Sequence, residues 1–350
     1  MSTSVTCLCG DVALTVHLDS TNHGQLQLCH CYNCRAVTGL LCCSYYLMQH
    51  DHDPPVLDAL REYRQSDHVR RLFCKTCGAH VLARLEPSGR YLVASGVLVG
   101  GHIPPAQSIQ HWQVNETRDG GLSKFLPGSN AIASRCMLET LSGIHLECPQ
   151  EQSPHLEDSG SNWDRVQDRV PAHCHCGGIQ FYMTRPDASS SLASSPWPDV
   201  LLPYHSGSSD NPDDVKWWLR DGNTKYLAGT CACTSCRLGS GFPIQTWAFV
   251  PRANLFQVDG SPLSLECKSM RRYSSSLGVY REFCGCCGAT VFWHSSVRPE
   301  LMDVSVGLIH GDGARAERWL EWASRVSFVE MAEQNQLVQQ LQLGLIRNLE

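Results

Sequence analysis

Apolar and polar positions along the chain change places over short stretches. The segments "VALTVHL" (12–18), "YLVASGVLV" (91–99), "IQTWAFV" (244–250), "ATVFWHS" (289–295) and "MDVSVGLI" (302–309) are rich in β-branched or aromatic residues. Gly, Pro or polar turns bound them, and the pattern predicts strands. No long helical period interrupts them until near the end. There "EMAEQNQLVQQLQLGLIRNL" (330–349) spaces its apolar residues at helical intervals and predicts one amphipathic helix. The expected fold is mainly β with a C-terminal helix.

The chain also repeats itself, and the repeat sets the architecture. The first half reads "CLCG", then "CHCYNCRAVTG", then "RLFCKTCGA"; the second reads "CHCG", then "CACTSCRLGSG", then "REFCGCCGA". A tyrosine lies eight residues before the last arginine in both copies (Tyr63 before Arg71, Tyr273 before Arg281), and a serine follows each tyrosine at the same offset (Ser66, Ser276). We read a tandem duplication. Module one spans 1–145, a polar linker 146–170, and module two 171–330 with a loop insert around 185–228; the C-terminal helix occupies 331–350. The linker is rich in charge and serine, as flexible connectors are.

Composition narrows the chemistry. The net charge is 28 − 34 = −6 and no basic run appears, so nucleic acid is not an expected partner. No apolar stretch is long enough to span a membrane. The N-terminus lacks a charged start followed by an apolar run, so no secretion signal is expected. Twenty cysteines in 350 residues are either disulfides or metal ligands. Most cluster as C-x-C and C-x-x-C, spacings that suit one shared ion better than a mutual bond. The expectation is a cytoplasmic protein whose thiolates hold zinc.

Two kinds of site follow. A C-x-x-C turn aims two sulfurs at one ion, and the glycine after it, Gly78 or Gly288, permits the positive φ such a turn needs. Two sulfurs do not fill a tetrahedron, and the C-x-C-G elements supply the other two. Cys7, Cys9, Cys74 and Cys77 then form one structural four-thiolate site, and Cys174, Cys176, Cys284 and Cys287 the other. The remaining triplets, Cys29, Cys31, Cys34 and Cys231, Cys233, Cys236, resemble catalytic zinc sites, where three protein ligands leave a fourth place for water or a substrate thiol. The competing reading closes each triplet with Cys42 or Cys43, or with Cys267 or Cys286. His30 is an unlikely shared ligand because the second copy has Ala232 there. Arg35 and Arg237, directly after the third cysteine, either hold a substrate carboxylate or balance the cluster's charge. Gly39 and Gly241 suggest tight turns. Tyr63, Ser66, Tyr273 and Ser276 are candidates for lining a substrate pocket, with loop packing as the alternative.

These motifs resemble the glutathione-dependent formaldehyde-activating enzyme family, which includes centromere protein V relatives, in a tandem two-module form. The resemblance implies tent-like zinc-binding β modules, with up to two zincs in each and four in the chain. It implies labile catalytic zincs on the two triplets and a carbon–sulfur lyase acting on a glutathione-type thiol adduct, as in S-hydroxymethylglutathione synthesis. The partner is then a small-molecule thiol. The alternative function is a non-catalytic zinc-stabilised scaffold.

Overall fold

The computed structural model describes residues 2–19, 25–49, 58–100, 108–131, 136–141, 168–196 and 204–348. The fold is mainly β, in two repeated units. Each begins with a hairpin that carries the C-x-C-G turn: Ser2–Thr6 with Ala13–His17, and Arg169–His173 with Gln180–Thr184. The second hairpin starts two residues before the expected module boundary at 171; most of the expected linker lies outside the described residues.

The main sheet of the first module runs Tyr45–Leu47, Tyr91–Ala94, His80–Leu85, Val69–Cys74, Leu60–Arg64, all neighbours antiparallel. The second repeats that order with Gln245–Pro251, Leu301–Ser305, Thr290–Ser295, Val279–Cys284 and Met270–Ser276. It extends through Lys225–Cys231, which Leu320–Ser327 joins in parallel. In the first module the matching parallel pair, Gln25–Cys29 with Ser108–Trp112, forms a separate small sheet. Every residue of Gln245–Pro251 is buried, which explains its apolar run from Trp247 to Pro251.

Among the described residues four α-helices punctuate the strands: α1 (Tyr32–Thr38), α2 (Met137–Leu141), α3 (Thr234–Ser240) and α4 (Asn335–Arg347). The short α1 and α3 are absent from the expected elements, because seven residues carry too little period to read. The C-terminal helix is present and buries Leu337, Val338, Leu341 and Leu345. The described part of the insert is packed. Its Trp218 is buried and donates from Nε1 to the Ser190 carbonyl at 3.1 Å.

The modules clasp each other reciprocally. Both α1 and α3 end in a left-handed glycine, Gly39 (φ 80°) and Gly241 (φ 90°). The carbonyl of Gly39 accepts from Gly307 N at 3.0 Å, and that of Gly241 accepts from Gly96 N at 2.9 Å. Each bond crosses from one module to the other. A Cβ on Gly39 would lie 2.2 Å from the Thr290 carbonyl oxygen, and one on Gly241 would lie 2.0 Å from that of His80. The same exchange occurs at the C-x-x-C turns, where Gly78 faces the Phe283 ring and Gly288 faces the Phe73 ring. Helix α4 adds a third link: Gly344 backs onto the Phe125 carbonyl, and Gln334 Nε2 donates to the Ser95 carbonyl at 3.1 Å.

Two glycine substitutions separate local strain from this clasp. Gly10 also has a positive φ of 84° but nothing within 4 Å of a built Cβ, so Gly10→Ala should cost only about 1–2 kcal/mol of left-handed strain. Gly241→Ala adds a backbone collision and should cost roughly 3 kcal/mol or more. Denaturant titration of the two variants against wild type checks the order.

Candidate metal centres

Four groups of cysteines converge. The sulfurs of Cys7, Cys9, Cys74 and Cys77 all lie within 4.8 Å of one another, and so do those of Cys174, Cys176, Cys284 and Cys287. Neighbouring sulfurs touch at 3.4 and 3.5 Å in the first group and at 3.5 Å in the second. Zinc–sulfur bonds of about 2.3 Å in a tetrahedron put sulfurs ~3.8 Å apart, so the donor set fits zinc. Backbone N–H groups support the thiolates: Val12 N reaches Cys7 Sγ at 3.4 Å, and Ile179 N reaches Cys174 Sγ at 3.4 Å. Gly78 and Gly288 take φ of 78° and 80°.

The two triplets also converge, Cys29 with Cys31 and Cys34, and Cys231 with Cys233 and Cys236, again within 4.8 Å. Local backbone chemistry builds them. The middle cysteine is the N-cap of a short helix: Cys31 Sγ accepts from Cys34 N at 3.3 Å, and Cys233 Sγ accepts from Cys236 N at 3.3 Å. A sulfur in the N-cap role explains why C-x-x-C opens α1 and α3. The first cysteine of each triplet ends a strand paired in parallel, at Cys29↔Trp112 and Cys231↔Ser327.

The arginines divide differently from expectation. Arg35 is buried, donating from Nε to the His30 carbonyl at 3.1 Å and from Nη2 to the Glu116 carbonyl at 3.2 Å. Arg237 is buried in the clasp, donating to the carbonyls of Gly96 and, at 2.9 Å, Leu98; its Nη2 lies 3.6 Å from Glu333. Both are engaged with the fold rather than presented to a ligand. Arg35 remains in the field of Cys31, and the arginines of the R-x-F-C motif reach the cluster thiols directly. Arg71 Nη2 donates to Cys34 Sγ at 3.1 Å, and Arg281 Nη2 to Cys236 Sγ at 3.7 Å. Arg71 is fully buried and also donates to Gln65 Oε1 at 2.6 Å and to the Tyr45 hydroxyl. The repeat placed an arginine at this offset in both halves, but only folding reveals that it reaches across the sheet to the third cysteine.

The tyrosines and serines also take other duties. Tyr63 OH pairs with His175 Nδ1 at 2.6 Å, next to Cys174 and Cys176 of the opposite module. Tyr273 stands likewise beside Cys9, Cys77 and Cys7. Burial first, then these sulfurs, raise both phenols. Each tyrosine therefore sits at the other module's four-cysteine group, not at a triplet. Ser66 Oγ accepts from His68 N at 3.2 Å in a hairpin turn, and the Ser276 carbonyl accepts from Ser274 Oγ at 3.1 Å. Loop packing is the role the geometry supports for both serines.

Among the described residues neither triplet gathers a fourth cysteine, histidine or carboxylate within 4.8 Å, but their surroundings differ. In the first module a further buried thiol, Cys136 just before α2, interacts with Cys29, Cys31 and Cys34. Hydrogen bonding from Cys136, Cys29, Cys31 and Cys43 holds the Cys34 thiol well below its ordinary range. Cys43, one of the expected closing candidates, interacts with Cys34 of this group; Cys42 is held up to about 12 by burial. In the second module Cys231, Cys233, Arg281 and Trp247 lower Cys236. Among the described residues no fourth cysteine, histidine or carboxylate joins this triplet within 4.8 Å. Cys267 is not part of this group, and Cys286 instead lies beside Cys176. Nothing in the repeat marked Cys136, since it belongs to no duplicated motif.

Residues 2–112 and 216–324 match the sequence profile described as glutathione-dependent formaldehyde-activating enzyme. A comparison with curated proteins returned no match. All described cysteines are free thiols, and no helix among the described residues is long and apolar enough to cross a membrane.

Cysteine substitutions should sort the sites by what they hold together. Cys284→Ser opens a four-thiolate group joining the first hairpin of the module to a late one, and melting should fall by roughly 10 °C with loss of bound zinc. Cys236→Ser touches one strand end and one short helix, and should leave melting within about 3 °C of wild type. Thermal melts with metal analysis of both variants compare them directly.

Proposed function

Because the chain belongs to the glutathione-dependent formaldehyde-activating enzyme family, as a tandem two-module member, we propose that it is a zinc-dependent carbon–sulfur lyase acting on a glutathione-type thiol adduct. The observation that supports this reading is the pair of triplets, above all Cys231, Cys233 and Cys236 with its half-buried edge, gathered within 4.8 Å with no fourth donor among the described residues. Zinc held on these three thiolates would supply a Lewis-acid position at which an incoming thiol ionises near neutral pH.

The chain's own residues set the charge. Zinc with three thiolates carries 2 − 3 = −1, and the Arg281 guanidinium beside Cys236 brings the local sum to zero. A neutral cluster admits a fourth, anionic sulfur more readily than one already negative. Arg281 is a positioning residue here, since it acts through Cys236. Trp247 lies near the same sulfur and also favours its thiolate. Cys233 is only half-buried, which leaves one edge of the triplet approachable.

In the synthetic direction the thiol sulfur adds to the carbonyl carbon of formaldehyde. A carbon–sulfur bond forms, the carbonyl π bond opens, and the thiol proton ends on the oxygen as a hydroxymethyl thioether. The reverse step expels the thiol and restores the aldehyde. Because the ligands must stay reduced to hold zinc, the reading places the protein in the cytoplasm.

Cobalt substitution tests this reading. Adding glutathione should change the visible spectrum of the cobalt-loaded chain, and the change should disappear in Cys236→Ser. Arg281→Met should weaken the glutathione response by about tenfold. A spectrum unmoved by millimolar glutathione would contradict the proposal.

A further inference from the structure

We propose that Arg281 recognises a carboxylate carried by the thiol substrate, so that the second module's triplet selects carboxylate-bearing thiols and the first does not. The inference rests on the reading of the triplets as thiol-binding zinc sites, and it names the substrate class of one of them.

The two motif arginines occupy equivalent places but have different partners. Arg71 gives its donors to the fold: Nε to Gln65 Oε1 at 2.6 Å, Nη1 to the Tyr45 hydroxyl and Nη2 to Cys34 Sγ at 3.1 Å. In the second copy both oxygen acceptors are missing. At the offset of Gln65 from its tyrosine stands Ser275, and at the offset of Tyr45 from the third cysteine stands Trp247. Among the described residues the Arg281 guanidinium keeps the long contact to Cys236 Sγ at 3.7 Å, and its buried Nε has no hydrogen-bond partner. A buried donor without an acceptor is costly unless something else supplies one. The helix beside it differs too. Val37 of α1 has Gly239 as its counterpart in α3, and a Cβ on Gly239 would lie 3.6 Å from Arg281 Nη1. The second helix therefore carries no side chain at its contact with the guanidinium.

Strand register supplies the surroundings, since residues directly opposite on neighbouring strands share a face. In the first module the row from the arginine reads Arg71, Ala83, Leu92 and Leu47. In the second it reads Arg281, Trp293, Asp303 and Phe249. An apolar row in one copy is aromatic and charged in the other. Arg298 lies over the Trp293 ring, 4.7 Å from its centroid, with Nη2 2.7 Å from Asp303 Oδ1. Its Nη1 is also buried without an acceptor. Two under-bonded guanidinium groups thus share a face with Trp293. Arginine forks pair with carboxylates. A thiol whose sulfur takes the open coordination place would bring its own carboxylate to Arg281, because that guanidinium already stands against Cys236.

Thiol titration of the cobalt-loaded full-length protein tests the assignment without an activity assay. The probes are β-mercaptopropionate and its methyl ester, which differ in whether the carboxylate is free. The signal is the part of the spectral change that Cys236→Ser removes. Wild type should half-saturate with the acid at a concentration at least about tenfold lower than with the ester. Arg281→Met should bring that ratio to about one, and Arg281→Lys should keep part of it. Ser275→Gln offers Nε the kind of acceptor that Gln65 gives Arg71, and should lower the ratio with every charge left in place. A role confined to holding Cys236 would weaken acid and ester alike. An unchanged ratio in Arg281→Met therefore overturns the assignment. Equal affinity for the two probes in wild type overturns it as well, while the thiol reading of the site survives. If neither probe moves the spectrum, the thiol reading fails and carboxylate recognition falls with it.

Discussion

Thiolates repel one another, and four groups of them are held here at near contact. That constraint organises the protein. Sulfurs 3.4 to 3.5 Å apart are tolerable as neutral thiols only with poor hydrogen bonds, and as thiolates only around a cation. Each four-cysteine group joins a hairpin at the start of its module to a hairpin far along it, from Cys9 to Cys74 and from Cys176 to Cys284. A metal held on these cysteines would close each module by coordination as well as by burial. The triplets draw on a local device instead, a sulfur capping a seven-residue helix, and so they can vary in ligand number without unmaking the sheet.

Duplication gave the protein a second constraint, reciprocal fit. Each helix that follows a triplet ends in a glycine whose carbonyl bonds the other module, and each C-x-x-C glycine receives the other module's phenylalanine. The motif glycines thus serve twice, for positive φ within a turn and for close approach between turns. Arg237 shows how far the halves have diverged. It joins the clasp through Gly96 and Leu98, whereas its counterpart Arg35 bonds carbonyls within its own module. Helix α4 reinforces one side only, through Glu333, Gln334 and Gly344.

Much of this was legible in the residues. Alternation and β-branching marked the strands, and the duplicated motifs marked which cysteines converge, because their spacing is set by a metal's short bonds. What could not be read were contacts between distant segments. Arg71 and Arg281 looked like motif punctuation, yet they reach the third cysteine of each triplet. Arg35 and Arg237 sit beside that cysteine in sequence, but the helix turns them toward backbone carbonyls. Tyr63 and Tyr273 serve the opposite module, which no single-module pattern can disclose. Cys136, a buried thiol near the first triplet, belongs to no duplicated motif, so the repeat did not point to it.

In the proposed chemistry the protein supplies three thiolates, Cys231, Cys233 and Cys236, and leaves one coordination place to an outside atom. Anomalous diffraction at the zinc edge from crystals of the full chain tests it most directly. The expected result is a zinc ringed by four sulfurs at each four-cysteine group, and a zinc on Cys231, Cys233 and Cys236 bound by three sulfurs and one atom from outside the protein. A fourth protein side chain on that last zinc would contradict it.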